Sequence, residues 1–190
     1  MLVESIKMSR AQGADLRAMR KTRGLTLVEL AEKMDRSVGW LSQVERDISE
    51  PSVDDLRDFS EALNAPLSIL MSDGRAPDDE VGYVVRRNAR REIGRRVDGL
   101  TEELLSPDLT DDFEVVHSTF AAGTERKDFV TRPTQELGTI LSGKMDVFIR
   151  AKKFTVEPGD SFRIKGEPFR WANPYNQPCV AIWVIAPPIY

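Results

Sequence analysis

The stretch Leu16–Leu70, LRAMRKTRGLTLVELAEKMDRSVGWLSQVERDISEPSVDDLRDFSEALNAPLSIL, decides how this 190-residue chain is read. Its apolar residues recur at helical spacing, and cap and stop signals cut it into short pieces. A first helix is expected from about Ala14 to Arg23, with Leu16 and Met19 inward and Gly24 as its stop. Thr26, with Glu29 three residues on, is a capping box that opens a second helix whose stripe is Leu27, Leu30, Ala31 and Met34. Ser37 caps a third helix with Leu41 and Val44 inward. Ser52, preceded by Pro51 and followed by Asp55, caps a fourth with Leu56, Phe59 and Leu63. Pro66 to Met71 supplies a short closing helix. The second and third helices are joined by a turn of three or four residues, the geometry that lays one helix in a DNA major groove.

Outward from this stretch the composition changes. SDGRAPDDE (72–80) reads as a hinge, and beyond about residue 112 come short β-branched and aromatic runs: FEVVHSTF, GTILSG, KMDVFIR, KFTV, DSFRI and CVAIWVI. Short strands at that spacing suggest a barrel or sandwich. No apolar run is long enough to span a bilayer, and the first residues show no signal-peptide core. The single cysteine, Cys179, excludes an internal disulfide and fits a cytoplasmic protein. The net charge of -4 is unusual for a nucleic-acid binder, yet residues 1–25 carry six Lys/Arg against two acids, a local excess of four. Local charge is what a phosphate backbone meets.

The segment GLTLVELAEKMDRSVGWLSQVERDISEPSVDDL resembles the helix-turn-helix of the Cro/phage-repressor (XRE) family, over roughly residues 14–71. Gly24, Leu25, Leu30, Ala31, Ser37, Leu41, Ser42, Glu45, Arg46, Pro51 and Leu56 carry the match. The resemblance implies that the third helix is the recognition helix. Val38, Gly39, Ser42 and Gln43 would then face base edges, with Trp40 at the groove edge. Ser37 and Ser52 would reach phosphate oxygens. Gln43 suits adenine, whose N6 and N7 it can pair with in a bidentate way. Two residues depart from the family pattern: Asp35 stands where the turn usually has glycine, and Leu27 where glutamine is common.

Structural readings stand beside these. Ser37 and Ser52 cap helices with or without DNA. Arg46, a DNA-contact candidate, is also expected with Glu45 in an intradomain ion pair, and Trp40 suits core or dimer packing as well as a groove. The connector VVRRNARREIGRRV holds Arg86, Arg87, Arg90, Arg91, Arg95 and Arg96. It reads as a solvated linker whose arginines pair with the acids of SDGRAPDDE and LTDD, or as a basic arm along DNA.

From about Val115 to Pro188 the chain resembles a cupin barrel, through Gly123, Glu136, Gly143, EPGD (157–160) and Gly166 to Asn173. Metal-binding cupins bring three histidines and a glutamate to one site. The matching positions here are Phe129, Thr131, Phe169 and Glu136, so only the carboxylate is kept. One carboxylate does not hold a transition metal tightly, and no metal or other cofactor is expected. His117, the single histidine, lies outside these positions and reads as structural. Phe129, Thr131, Glu136, Phe169 and Trp171 are left at the barrel mouth. They form either a pocket for a small molecule with an apolar body and a cationic or hydrogen-bonding end, or a filled core.

The expected fold is α+β multidomain. Residues 1–72 form an all-α helix-turn-helix bundle, 73–111 a linker and lead-in segment, and 112–190 an all-β cupin (double-stranded β-helix or jelly-roll) barrel for effector binding and dimerisation. The expected function is a cytoplasmic, non-enzymatic, sequence-specific regulator of transcription. Its expected partners are a double-stranded DNA operator, a small-molecule effector and a second copy, with no membrane. Two other classes remain: a protein-interaction module with a degenerate helix-turn-helix, and a cupin enzyme with a regulatory helical domain.

Overall fold

A computed structural model describes residues 13–71, 79–80, 82–93, 97–107, 109 and 111–189. These fall into two compact units, one reaching Arg91 and taking in Pro107 and Leu109, the other made of Glu92–Ser106 and Asp111–Ile189. The first is all helix: α1 (Gly13–Thr22), α2 (Leu27–Lys33), α3 (Val38–Val44), α4 (Val53–Leu63) and α5 (Leu67–Met71), with a 3-10 turn at Arg87–Ala89. Leu16, Met19, Leu30, Leu41, Val44, Leu56, Phe59, Leu63, Ile69 and Leu70 are each at most 1% exposed and form one core. Leu27 stays half-buried outside it.

Local chemistry sets the helix ends. Thr26 Oγ1 accepts from the Glu29 amide at 3.2 Å and Glu29 Oε2 accepts from the Thr26 amide at 2.7 Å, closing the capping box. Such a cap contributes about 1 kcal/mol. Gly24 (φ 68°) ends α1, and Asn64 in the left-handed region ends α4. Asp35 in the α2–α3 turn has φ 50°, the backbone that glycine adopts freely.

The second unit is built on β1 (Arg91–Ile93), whose first residue still belongs to the helical unit, and on β2 (Leu100–Leu104), β3 (Glu114–Phe120), β4 (Thr124–Glu125), β5 (Gln135–Ser142), β6 (Met145–Ile149), β7 (Lys152–Val156), β8 (Ser161–Lys165), β9 (Phe169–Asn173) and β10 (Cys179–Ala186). The strands form two sheets, ordered β1-β2-β3-β10-β5-β8 and β4-β9-β6-β7. Side chains from both sheets meet in the core. Phe120 on β3 packs edge-on against Trp171 on β9 at 4.6 Å, and Trp183 on β10 lies 6.2 Å from Phe169 on β9. An aromatic pair of the first kind adds about 1 kcal/mol beyond its buried area. Gly138 on β5 makes room for Phe162, because a Cβ there would sit 2.3 Å from the ring. That ring lies edge-on to Trp183 at 5.0 Å. β2 pairs with β3 from Leu100↔Phe120 to Leu104↔Val116, so part of the segment read as linker joins the larger sheet.

Cys179 is fully buried, and burial pushes its thiol pKa up to about 11. A thiolate is the reactive form. At pH 8 an aromatic disulfide reagent is therefore expected to leave the native protein unlabelled, with one thiol per chain appearing only on unfolding. Fast labelling of the folded protein would mean that this strand opens.

Candidate DNA-reading face and barrel cavity

The helical unit presents one open surface on α3. Val38 is 39% exposed, Gly39 and Gln43 are exposed, and Ser42 is half-buried. Ser42 and Gln43 each lie three or four residues from Gly39 on one side and from Arg46 on the other, so the four share a face. A Cβ added at Gly39 would meet nothing within 4 Å, so that face is low and accessible. Ser37 Oγ accepts from the Trp40 amide at 3.1 Å and fixes the start of the helix. Arg46 folds back on its own helix, its Nε donating to the Ser42 carbonyl at 3.0 Å.

Gln43 gains a neighbour that spacing did not suggest. Ser49 Oγ donates to Gln43 Oε1 at 2.9 Å, while the Gln43 carbonyl accepts from the Ile48 and Ser49 amides. The loop after α3 therefore holds the glutamine in one rotamer and leaves its amide hydrogens outward. Ile48, 63% exposed on the same loop, adds an apolar contact surface.

The structure bears on three of the expected residues here, and overturns the pairing of one. Trp40 turns to the core side, stacking on Phe59 at 6.2 Å with the Arg36 guanidinium 5.3 Å over its ring. Glu45 does not pair with Arg46. It is buried and takes a bidentate bond from Arg20 on α1, Nε to Oε1 at 2.6 Å and Nη2 to Oε2 at 2.9 Å. Arg46, at the exposed end of α3, has no such partner within reach among the described residues. Ser52 uses its hydroxyl hydrogen on Asp55 Oδ2 at 2.6 Å and accepts from the Asp55 amide at 3.1 Å. Burial opposes ionisation of Asp55 most strongly. The Ser52 hydroxyl and amide, with Arg36, outweigh it and hold the carboxyl below its usual range.

In the connector, Arg86 pairs with Glu80 and Arg91 with Asp15 on α1 at 2.7 Å. Glu80 belongs to the acidic hinge that sequence singled out, whereas Asp15 does not. Arg95 and Arg96 lie outside the described residues.

The barrel holds a cavity of about 30 Å³. Glu136, Phe169 and Trp171 line it, as do Val130, Arg126 and Arg132. Phe129 and Thr131 point outward: Phe129 is 48% exposed under the Arg170 guanidinium, 5.6 Å from its ring, and Thr131 is exposed. The single bridge Val130↔Phe169 sets which residues of this segment face in, and alternation sends its neighbours out. Glu136 is 2% exposed; its Oε1 accepts from Thr134 Oγ1 at 2.8 Å and lies 3.6 Å from Arg132 Nη1. This set does not fit a metal, since an outward phenylalanine, an outward threonine and a buried ring replace the nitrogen donors. Among the described residues no three His, Cys, Asp or Glu side chains converge. His117 sits on β3 with Nδ1 3.5 Å from Glu103 Oε2, away from the cavity lining. No helix among the described residues is long and apolar enough to cross a membrane.

Comparison with known proteins agrees with this geometry. Residues 12–68 match the family described as a helix-turn-helix domain, and residues 116–185 the cupin domain. The chain is 25% identical over 167 residues to the HTH-type transcriptional regulator PuuR of Escherichia coli, covering 86% of this chain and 88% of that one. It is 32% identical over 96 residues to the transcriptional regulator ClgR of Mycobacterium tuberculosis, covering 50% of this chain and 86% of that protein. A solved cupin domain of an XRE-family transcriptional regulator from Enterobacter cloacae overlays 48% of this chain and 99% of its own length, with 22% identity and a TM-score of 0.41. With a helix-turn-helix of this geometry, a cupin barrel after it and regulators as relatives, the chain belongs to the XRE-type helix-turn-helix transcriptional regulators that carry a C-terminal cupin domain.

Proposed function

We propose that the protein reads an operator as a homodimer through α3, and that its barrel senses a small molecule and carries out no reaction. Residues 1–72 are the DNA-binding part, 73–111 the connection, and 112–190 the sensing and dimerising part. The observation that carries the DNA reading is the open α3 face of Gly39, Ser42, Gln43 and Arg46, with Gln43 held by Ser49. Ser37 and the α3 amides address phosphates, Val38 packs on a sugar or thymine methyl, and Gln43 reads adenine. Ser52 acts through its cap, its hydroxyl being engaged by Asp55. Trp40 supports the recognition helix from behind. Two recognition helices about 34 Å apart would span one turn of a pseudo-palindromic site.

For the barrel, the lining of Glu136, Phe169 and Trp171 with two arginines supports ligand recognition. It offers no histidine or cysteine as nucleophile or base. The relatives PuuR and ClgR, both described as transcriptional regulators, point the same way.

Selection of bound duplexes from a random pool is expected to return a two-fold-related motif for the wild type. Gln43→Ala should relax one symmetric pair of positions, with about 1–3 kcal/mol of discrimination lost there and the fold intact. An unchanged motif would remove Gln43 from the reading face. No enriched motif for the wild type would favour a protein-interaction module. A second variant, Asp35→Gly, relieves a left-handed non-glycine residue and removes an acid beside the recognition helix. It is expected to bind the selected duplex several-fold more tightly, on the scale of about 1 kcal/mol for one nearby charge in water. Weaker binding in fluorescence anisotropy would mean that Asp35 lies away from the phosphates.

A further inference from the structure

Among the buried side-chain polar atoms of the barrel that receive or make no hydrogen bond, two belong to residues that line the same cavity. Glu136 Oε2 receives no hydrogen bond, although its residue is 2% exposed and its other oxygen is bonded to Thr134. Arg126 Nε is buried with no acceptor, and among the described residues this guanidinium has no carboxylate partner. Native interiors satisfy such groups, so each marks a place for something that binds there. Their demands are opposite: the carboxylate oxygen needs a donor and the guanidinium an acceptor.

The lining also balances. Arg126 and Arg132 face Glu136 and Glu102, two charges of each sign. A lone ammonium or a lone carboxylate would leave one net charge in a largely apolar enclosure, which is unfavourable. A molecule carrying both groups would not. Phe120, Trp171 and Trp183 supply walls for a short carbon body, and their faces favour a cation nearby. The volume of about 30 Å³ admits roughly two waters, so a zwitterion of five or six heavy atoms must push the lining side chains apart, and the occupant is among the smallest of its class.

We propose that the cavity takes a small zwitterion, an aminocarboxylate whose ammonium meets Glu136 Oε2 and whose carboxylate meets Arg126. This rests on the reading of the barrel as a sensor and names the chemical class that it senses. A net-neutral ligand of this kind turns an incompletely bonded interior into a satisfied one, which gives it a reason to stabilise one arrangement of the barrel over another.

The test uses the full chain and four probes in calorimetric titration and thermal melts: L-alanine and β-alanine as zwitterions, ethylamine and propionate as single-charge controls. At least one zwitterion should bind saturably and raise the barrel melting temperature, at least tenfold more tightly than either control. Glu136→Gln and Arg126→Gln, each close in size to the residue replaced, should both weaken that binding tenfold or more. If either variant folds poorly by near-ultraviolet circular dichroism, the other carries the result. Equal binding of ethylamine or propionate, indifference to Arg126→Gln, or no binding of any probe overturns the proposal, the last meaning that water fills the site. The sensor reading has its own arm, a set of purified sugars, amines and carboxylates scored for altered operator affinity. A response to a sugar would keep the sensor and discard the zwitterion, and no response to any of them would discard both.

Discussion

Glu45→Ala is expected to lower the stability of the helical unit by about 3–5 kcal/mol, enough to unfold much of it near 37 °C. Arg20 is 9% exposed, and all three of its guanidinium nitrogens are engaged: Nε and Nη2 by the Glu45 carboxylate, Nη1 by the Leu25 carbonyl at 2.8 Å. The hydrogen bond to Glu45 holds the guanidinium pKa above its ordinary value, so it stays charged. Removing the carboxylate leaves a largely buried cation with two orphaned donors. The pair also ties α1 to the end of α3, since Glu45 is the C-terminal cap residue of that helix. Urea titration followed by far-ultraviolet circular dichroism should show the helical transition moved to low urea, with the barrel transition unchanged. The double variant Arg20→Leu with Glu45→Leu should recover most of the loss, because a buried ion pair replaced by apolar residues of similar size is often near neutral. A loss under 1 kcal/mol for Glu45→Ala would show that Arg20 reaches solvent.

Leu137→Arg is the second large effect, and it acts on assembly. The outer face of the larger sheet carries Val115, Val184 and Leu137 in one cross-strand row, and His117, Ile182 and Thr139 in the next. Leu137 is 47% and Leu141 52% exposed. A row of aliphatic side chains on the outside of a sheet suits a second copy of the same face around a two-fold axis. Arginine at an exposed position changes little within one chain, yet it sets two like charges against each other across such an axis. Light scattering should then report monomers. Operator affinity should fall roughly 100-fold or more, the scale on which a linked second binding event adds avidity. Persistent dimers with unchanged affinity would place the dimer contact elsewhere.

The helical unit was legible because its signals are local. Thr26 and Glu29, Ser37, and Ser52 and Asp55 each act within three residues, so spacing alone locates the helix starts. The partner of Glu45 was not legible, since Arg20 lies 25 positions away and only the packing of α1 against α3 brings them together. Spacing suggested its neighbour Arg46 instead. In the barrel, the aromatic and β-branched strands announced themselves, but β2, the acidic LTEEL, did not. Its strand form comes from pairing with β3 and not from propensity. The inward residues between β4 and β5 were read one position out, with Phe129 and Thr131 in place of Val130 and Arg132. A period of two has no anchor where only one bridge, Val130↔Phe169, fixes the phase. Glu136, Phe169 and Trp171 sit on regular strands and were found at the cavity.

The most direct test of the DNA-reading account is fluorescence anisotropy of the intact protein on duplexes tiled across the DNA upstream of its own coding region, together with duplexes from the random-pool selection. It is run with random-sequence competitor and a salt series. The account predicts saturable binding to a duplex with two half-sites one helical turn apart, two chains per duplex, surviving competitor and weakening steeply with salt. Equal, competitor-sensitive binding to every duplex, or none at low salt, would contradict it.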